Sequence, residues 1–131
     1  MKLVALTVIA GTQGPQLATL TLDIDGVHRT VQSSGNGPVD ATFAAIKALL
    51  PHEAKLELYQ VHAVTEGTDA QAEVSVRLGE EGSSVTARAA DPDTLAASAR
   101  AYLSALNKLM QRAARGGHER RLHSTAPLGG V

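Results

Sequence analysis

Apolar residues along this chain recur with two periods, and the switch between them happens twice in the same order. Residues 3–9 are apolar and β-branched, and Gly11-Thr12-Gln13-Gly14-Pro15 then turns the chain. From 17 to 24 every second position is apolar, with Ala18, Leu20, Leu22 and Ile24 on one face, as in a half-buried strand. Asp25-Gly26 is a strong hairpin signal, so Val27 to Gln32 is expected to return as a third strand. The period then lengthens. Val39, Phe43, Ile46 and Leu50 form one helical stripe, which Gly37-Pro38 opens, with Asp40 in its first turn, and Pro51 ends.

The second half repeats this order. Leu56 to Thr65 reads as a strand whose apolar phase slips between Leu58 and Tyr59, the mark of a bulge. Glu66-Gly67-Thr68-Asp69 turns, and Ala72, Val74, Val76 and Leu78 alternate with polar residues. After a second turn at Gly79-Glu80-Glu81-Gly82, Val85, Ala87 and Ala89 line a third strand. Asp91 then stands as N-cap of a second helix with Pro92 at its first position. Leu95, Ala99, Tyr102, Leu106, Leu109 and Ala113 would be its buried face, and Gly116-Gly117 its stop.

The pattern predicts an α+β domain of two pseudo-symmetric βββα units, packed as a sheet-and-helix sandwich. Repeat one covers 2–50 and repeat two 54–115, so residues 1–115 form the domain, and 116–131 are expected to be a flexible C-terminal tail. Phe43, Tyr59 and Tyr102 are the only aromatic residues, so the core must be built from Val, Leu, Ile and Ala. Such a core is thin for its length, and burial between subunits would supplement it.

Composition excludes several functions. Twelve Lys and Arg against thirteen Asp and Glu leave a net charge of -1, which gives no electrostatic footprint for nucleic acid or an anionic membrane. The chain has no cysteine, which removes disulfides and thiolate chemistry and fits a cytoplasmic setting. No apolar run reaches the length of a membrane span. His28, His52, His62, His118 and His123 show no metal-ligand spacing, so neither a metal nor a cofactor is expected. Ser33-Ser34 and Ser83-Ser84 have no general base near them in sequence, and Glu80-Glu81 falls in a turn. Catalytic residues are expected to be absent from this chain.

Gly35-Asn36-Gly37-Pro38, at the start of the first helix, has the chemistry of a carboxylate site. Its glycines permit close approach, and a helix N-terminus offers unpaired donors. A tight strand-to-helix turn explains the same residues, and taken alone the motif favours that plainer reading. Likewise Asp69 is either a partner for an ammonium group or the acid of a solvated turn.

With the repeat established, three segments carry a resemblance to a known family. They are Gly35-Asn36-Gly37-Pro38-Val39-Asp40-Ala41, the strand and turn from Tyr59-Gln60-Val61-His62 to Asp69-Ala70-Gln71, and the helix from Ala97-Ser98-Ala99 to Asn107-Lys108-Leu109. In that order, over about residues 1–115, the chain resembles the C-terminal regulatory domain of 2-isopropylmalate synthases, which citramalate synthases share in related form. The resemblance implies a homodimer that binds leucine, or a related amino acid, as feedback effector, and a partnership with the catalytic barrel of a parent enzyme. It further implies that Gly35, Asn36 and Gly37 approach the effector's polar end. Val39, Leu56, Tyr59, Ala63 and Ala70 would surround its side chain, with Thr65 and Asp69 nearby. The barrel and its metal-binding residues have no counterpart here. A different effector, as in a citramalate- or homocitrate-type synthase, and a dimerisation module without a ligand are the alternatives.

Overall fold

The computed structural model describes residues 1–66 and 69–128, with side chains over 1–63 and 71–114. Its elements run β1 (Lys2–Ile9), β2 (Gln16–Ile24), β3 (Val27–Gly35), α1 (Pro38–Leu49), β4 (Lys55–Glu66), β5 (Asp69–Glu80), β6 (Ser83–Asp91) and α2 (Thr94–Leu128). The strands form two antiparallel meanders, β1-β2-β3 and β4-β5-β6. The expected βββα–βββα order and α+β class are what the fold shows.

The two halves match in detail. The turns from β2 to β3 and from β5 to β6 each have two left-handed residues, Asp25 (φ 53) and Gly26 (φ 83) in one, Glu81 (φ 49) and Gly82 (φ 78) in the other. That geometry follows the twist of the flanking strands. Each first strand also carries a bulge, between Leu3 and Ala5 in β1 and between Leu56 and Leu58 in β4. The bulge resolves the phase slip read from the sequence, though its extra residue is Glu57 and not the Leu58–Tyr59 step. Directly opposed residues share a face. Leu56 opposes Leu78, Tyr59 opposes Val76, and Val61 opposes Val74, so all of them point inward despite the three-residue step from Leu56 to Tyr59.

Each helix covers the second and third strands of its own sheet, and the two helices touch. In addition α2 reaches β1, so the halves interlock. The core lies between sheets and helices, with Leu20, Leu22, Ile46, Val74, Val76, Leu78 and Leu106 fully buried. Thr42 and Ser98, at matching places on α1 and α2, are also fully buried, and each hydroxyl donates to the carbonyl one turn back, Pro38 at 2.8 Å and Thr94 at 2.7 Å. The predicted stripe of α1 packs inward as expected. On α2, Ala113 is exposed and not part of the buried face.

Both predicted ends of α2 move. Strand β6 continues to Asp91, so the helix begins at Thr94 and Asp93 is its N-cap. The Asp93 carboxylate accepts the Leu95 N–H at 2.9 Å, and its carbonyl accepts that of Ala97 at 3.0 Å. Asp91 instead receives the Asp93 N–H at 2.8 Å and pairs with Arg100. At the other end, Gly116-Gly117 does not stop the helix, which runs to Leu128. Glycine lowers helix propensity by about 1 kcal/mol per residue without forbidding the conformation, and Gln, Arg, Ala, Glu and Leu on either side favour it.

Beyond its core contacts, α2 reaches around the edge strand β6. Lys108 Nζ donates to the Thr86 carbonyl at 3.1 Å and Arg112 to the Ser84 carbonyl at 2.9 Å.

Candidate functional site

The loop from β3 to α1 is built on a backbone contact. A Cβ on Gly35 would lie 2.5 Å from the Ala41 nitrogen and 2.8 Å from its Cα, so only glycine lets the first turn of α1 settle on the end of β3. For Gly35 the plain structural reading of the motif is therefore sufficient. Gly37 differs. Its backbone is extended (φ -152, ψ 170), and an added Cβ would meet only the Asp40 carboxylate at 3.7 Å. No turn or close approach demands glycine there.

Gly37 is the N-cap of α1 and gives it no side-chain cap; Pro38 follows at the first position. The Ala41 N–H is taken by the Gly37 carbonyl at 2.9 Å. Among the described residues nothing accepts from the N–H groups of Val39 and Asp40. The contrast with α2, whose second- and third-position amides both face the Asp93 carboxylate, is specific to this repeat. The α1 N-terminus thus keeps two donors and the positive end of its dipole available to an anion.

The second group of candidate residues lies on β4. Ala63 opposes Ala72, so Leu56, Tyr59, Val61 and Ala63 all stand on the helix-facing side of this edge strand. Because α2 lies over β5 and β6, that row is only partly covered. Leu56 is 46% and Val61 45% exposed, while Tyr59 is half-buried. Tyr59 is held from two sides. Its hydroxyl is 2.7 Å from Ser98 Oγ, and its ring meets Phe43 edge-on with centroids 5.7 Å apart. Phe43 lies one helical turn beyond Val39, which joins the loop group to the strand group.

The structure therefore places Gly35, Asn36, Gly37 and Val39 at the start of α1 and Leu56, Tyr59 and Ala63 on one face of β4, and links the two elements through the Phe43–Tyr59 contact. The side chain of Ala70 lies outside the described residues. Phe43 and Ser98 were not singled out as site residues from sequence. Ser98 lies in the helical segment that carries the family resemblance, but only its match to Thr42 in the other repeat singles it out there.

The aromatic cluster continues inward. Phe43 packs on Tyr102 with centroids 4.5 Å apart, and the Tyr102 hydroxyl is 3.0 Å from His52 Nε2. Burial pushes the Tyr102 hydroxyl pKa up to about 12. Burial, followed by the nearby Lys47 ammonium, holds the His52 pKa below 6.5, with Glu80, Glu53 and the Ala54 carbonyl acting in the opposite direction. Nδ1 of His52 is buried without a hydrogen bond of proper geometry. Among the described residues no group of three His, Asp or Glu side chains is placed to hold a metal ion, and no helix is long and apolar enough to cross a membrane.

The family model described as the LeuA allosteric (dimerisation) domain matches residues 1–110. A 2-isopropylmalate synthase of Bradyrhizobium sp. (strain ORS 278) is 74% identical over 112 residues, which is 86% of this chain and 21% of that protein. One of Rhodopseudomonas palustris (strain TIE-1) is 74% identical over 110 residues, 84% of this chain and 21% of its own length. One of Afipia carboxidovorans is 70% identical over 112 residues, with shares of 86% and 22%. The chain thus spans about a fifth of the length of the curated relatives it matches.

Proposed function

The chain belongs to the LeuA allosteric (dimerisation) domain family, and on that premise we propose that residues 1–115 act as the amino-acid-sensing unit of a 2-isopropylmalate synthase. Two copies associate, and a branched-chain amino acid, leucine first among them, binds where the β3–α1 loop meets the uncovered face of β4. Its carboxylate takes the Val39 and Asp40 amides beside Gly35, Asn36 and Gly37. Its side chain lies against Val39, Leu56, Tyr59, Ala63 and Ala70. The catalytic barrel of the parent enzyme is the element regulated, in the cytoplasm where leucine biosynthesis proceeds.

The observation that carries this reading is the pairing of an uncapped helix N-terminus with a half-exposed apolar row, joined through Phe43. An amino acid needs both kinds of surface. Burying a leucine side chain contributes about 1.5–3 kcal/mol. Micromolar affinity requires about 8 kcal/mol, so the polar contacts must supply the larger share. A second copy would enclose the row and raise the strength of those contacts. As a regulator, the ligand can shift the enzyme only by its difference in affinity for the two quaternary states.

Calorimetric titration of the chain with leucine, isoleucine, valine and lysine, with sedimentation to follow the dimer, tests the proposal. Saturable heat with leucine and not with lysine is the expected result. A stable dimer that gives no heat and no thermal shift with any of the four would replace it with a ligand-free dimerisation module.

A further inference from the structure

The dipeptide Asn36-Gly37 has a property that amino-acid sensing does not require. Asn36 is exposed, and its side-chain amide makes no hydrogen bond among the described residues. The Gly37 N–H is equally unengaged, since only its carbonyl is used, by Ala41. With no Cβ on Gly37 and only the Asp40 carboxylate near where one would stand, the nitrogen is open to its neighbour's side chain. The adjoining positive end of α1 favours loss of the amide proton.

We propose that Asn36 is a site of spontaneous deamidation. Base removes the Gly37 amide proton, and the nitrogen attacks Asn36 Cγ. The new C–N bond forms as the Cγ–Nδ2 bond breaks, and ammonia leaves with a proton. Water then opens the five-membered imide. Cleavage of its Cγ–N bond gives aspartate at position 36, and cleavage at the main-chain carbonyl gives isoaspartate. No oxidant or cofactor takes part.

The same structure protects the other positions where this chemistry has precedent. In Asp25-Gly26 the Gly26 N–H is held by the Asp23 carboxylate at 2.8 Å. Asn107 lies inside α2, where the amide of Lys108 belongs to the helical ladder. Of these three positions, only the one in the β3–α1 loop is left reactive.

The product matters for the site, and this part rests on the function proposed above. A new carboxylate at position 36 stands where the effector's own carboxylate is to be held, so ageing turns an anion-accepting loop into an anion-repelling one. Isoaspartate also lengthens the main chain by one carbon, in a loop whose Gly35 already abuts Ala41 without clearance.

The test stores the 131-residue chain in mildly alkaline buffer at physiological temperature and maps its tryptic peptides by mass over several weeks. Asn36 falls in Thr30–Lys47, Asp25 in Leu3–Arg29 and Asn107 in Ala101–Lys108. Thr30–Lys47 should gain the mass of an amide-to-acid exchange and become a substrate for isoaspartate methyltransferase, while Ala101–Lys108 keeps its mass and Leu3–Arg29, where isomerisation of Asp25 would leave the mass unaltered, accepts no methyl group. Gly37→Ala should stay folded, with a thermal midpoint only slightly lowered, and slow the exchange severalfold. An unaltered Thr30–Lys47 peptide, or equal methyl acceptance by all three, overturns the proposal. Fresh, aged and Asn36→Asp proteins are then titrated with leucine. Affinity should fall in step with the modified fraction and be low in Asn36→Asp; unchanged affinity overturns the consequence for sensing. If fresh protein fails to bind leucine, the functional reading fails, whereas the modification stands on its own mass evidence.

Discussion

Tyr59 on β4 and Ser98 on α2 are hydrogen-bonded at 2.7 Å, across the space between the edge strand and the helix that leaves it uncovered. Ser98 also bonds the Thr94 carbonyl, so removing the tyrosine hydroxyl leaves no orphan on the helix. Tyr59→Phe is therefore expected to cost only about 0.5–1.5 kcal/mol in denaturant unfolding. Tyr59→Ala should cost more, about 2–3 kcal/mol, below the roughly 3–5 kcal/mol for deleting a fully buried ring because Tyr59 is partly exposed. Equal losses for the two variants would show that the ring's contact with Phe43 contributes nothing.

Gly35 and Gly37 stand two residues apart and should respond unequally to a methyl group. Gly35→Ala places a carbon 2.5 Å from the Ala41 backbone nitrogen, and displacing the α1 turn is expected to cost about 1–3 kcal/mol. Gly37→Ala meets only an ordinary contact and loses just the N-cap preference of glycine over alanine, so it should cost less, below about 1 kcal/mol. Similar shifts in the two melting curves would contradict the packing described for Gly35.

Capping supplies a third prediction. Asp93→Ala should cost about 1 kcal/mol, because the Leu95 and Ala96 amides lose their acceptor. Gly37→Asp should do the reverse on α1, adding a few tenths of a kcal/mol in chemical denaturation. The same variant should weaken leucine binding by charge repulsion. Unchanged leucine affinity would remove the loop from the site.

The fold was legible because two periodicities alternate in a fixed order and each hairpin carries its own turn signal. Leu56, Tyr59 and Val61 were harder, since a bulge disguises residues that share a face. The position of that bulge emerges only when Glu57 is seen stepping out between paired neighbours. The start of α2 was misplaced because Asp91 and Asp93 are equally good caps by composition. What separates them is how far β6 extends, which depends on pairing with Ala72 and not on local sequence. For the site, residue types suggested the loop, but the role of Phe43 needed the distance to Tyr59. That contact joins residues from different repeats.

His52 makes stability depend on pH. Its folded pKa is lowered below 6.5, so near and below that value the unfolded chain binds the proton more readily. Stability is then fully present above 6.5 and declines as pH falls through the folded value. Thermal midpoints measured from about pH 8 to about pH 5 should fall in the wild type, with a shallower slope in His52→Gln. At the alkaline end, Tyr102 keeps its proton to about pH 12, so its contribution persists until the pH passes the ordinary tyrosine value and is lost towards 12.

The grip of Lys108 and Arg112 on the Thr86 and Ser84 carbonyls gives sheet β4-β5-β6 two unlike borders. A chain that seeks to extend this sheet finds cationic side chains already occupying acceptors along β6, whereas β4 keeps its greasy flank exposed. Extension of this sheet is thus hindered at β6 and unhindered by such contacts at β4. Covering one edge in this way limits edge-to-edge pairing, a useful bias for a domain that displays bare apolar surface.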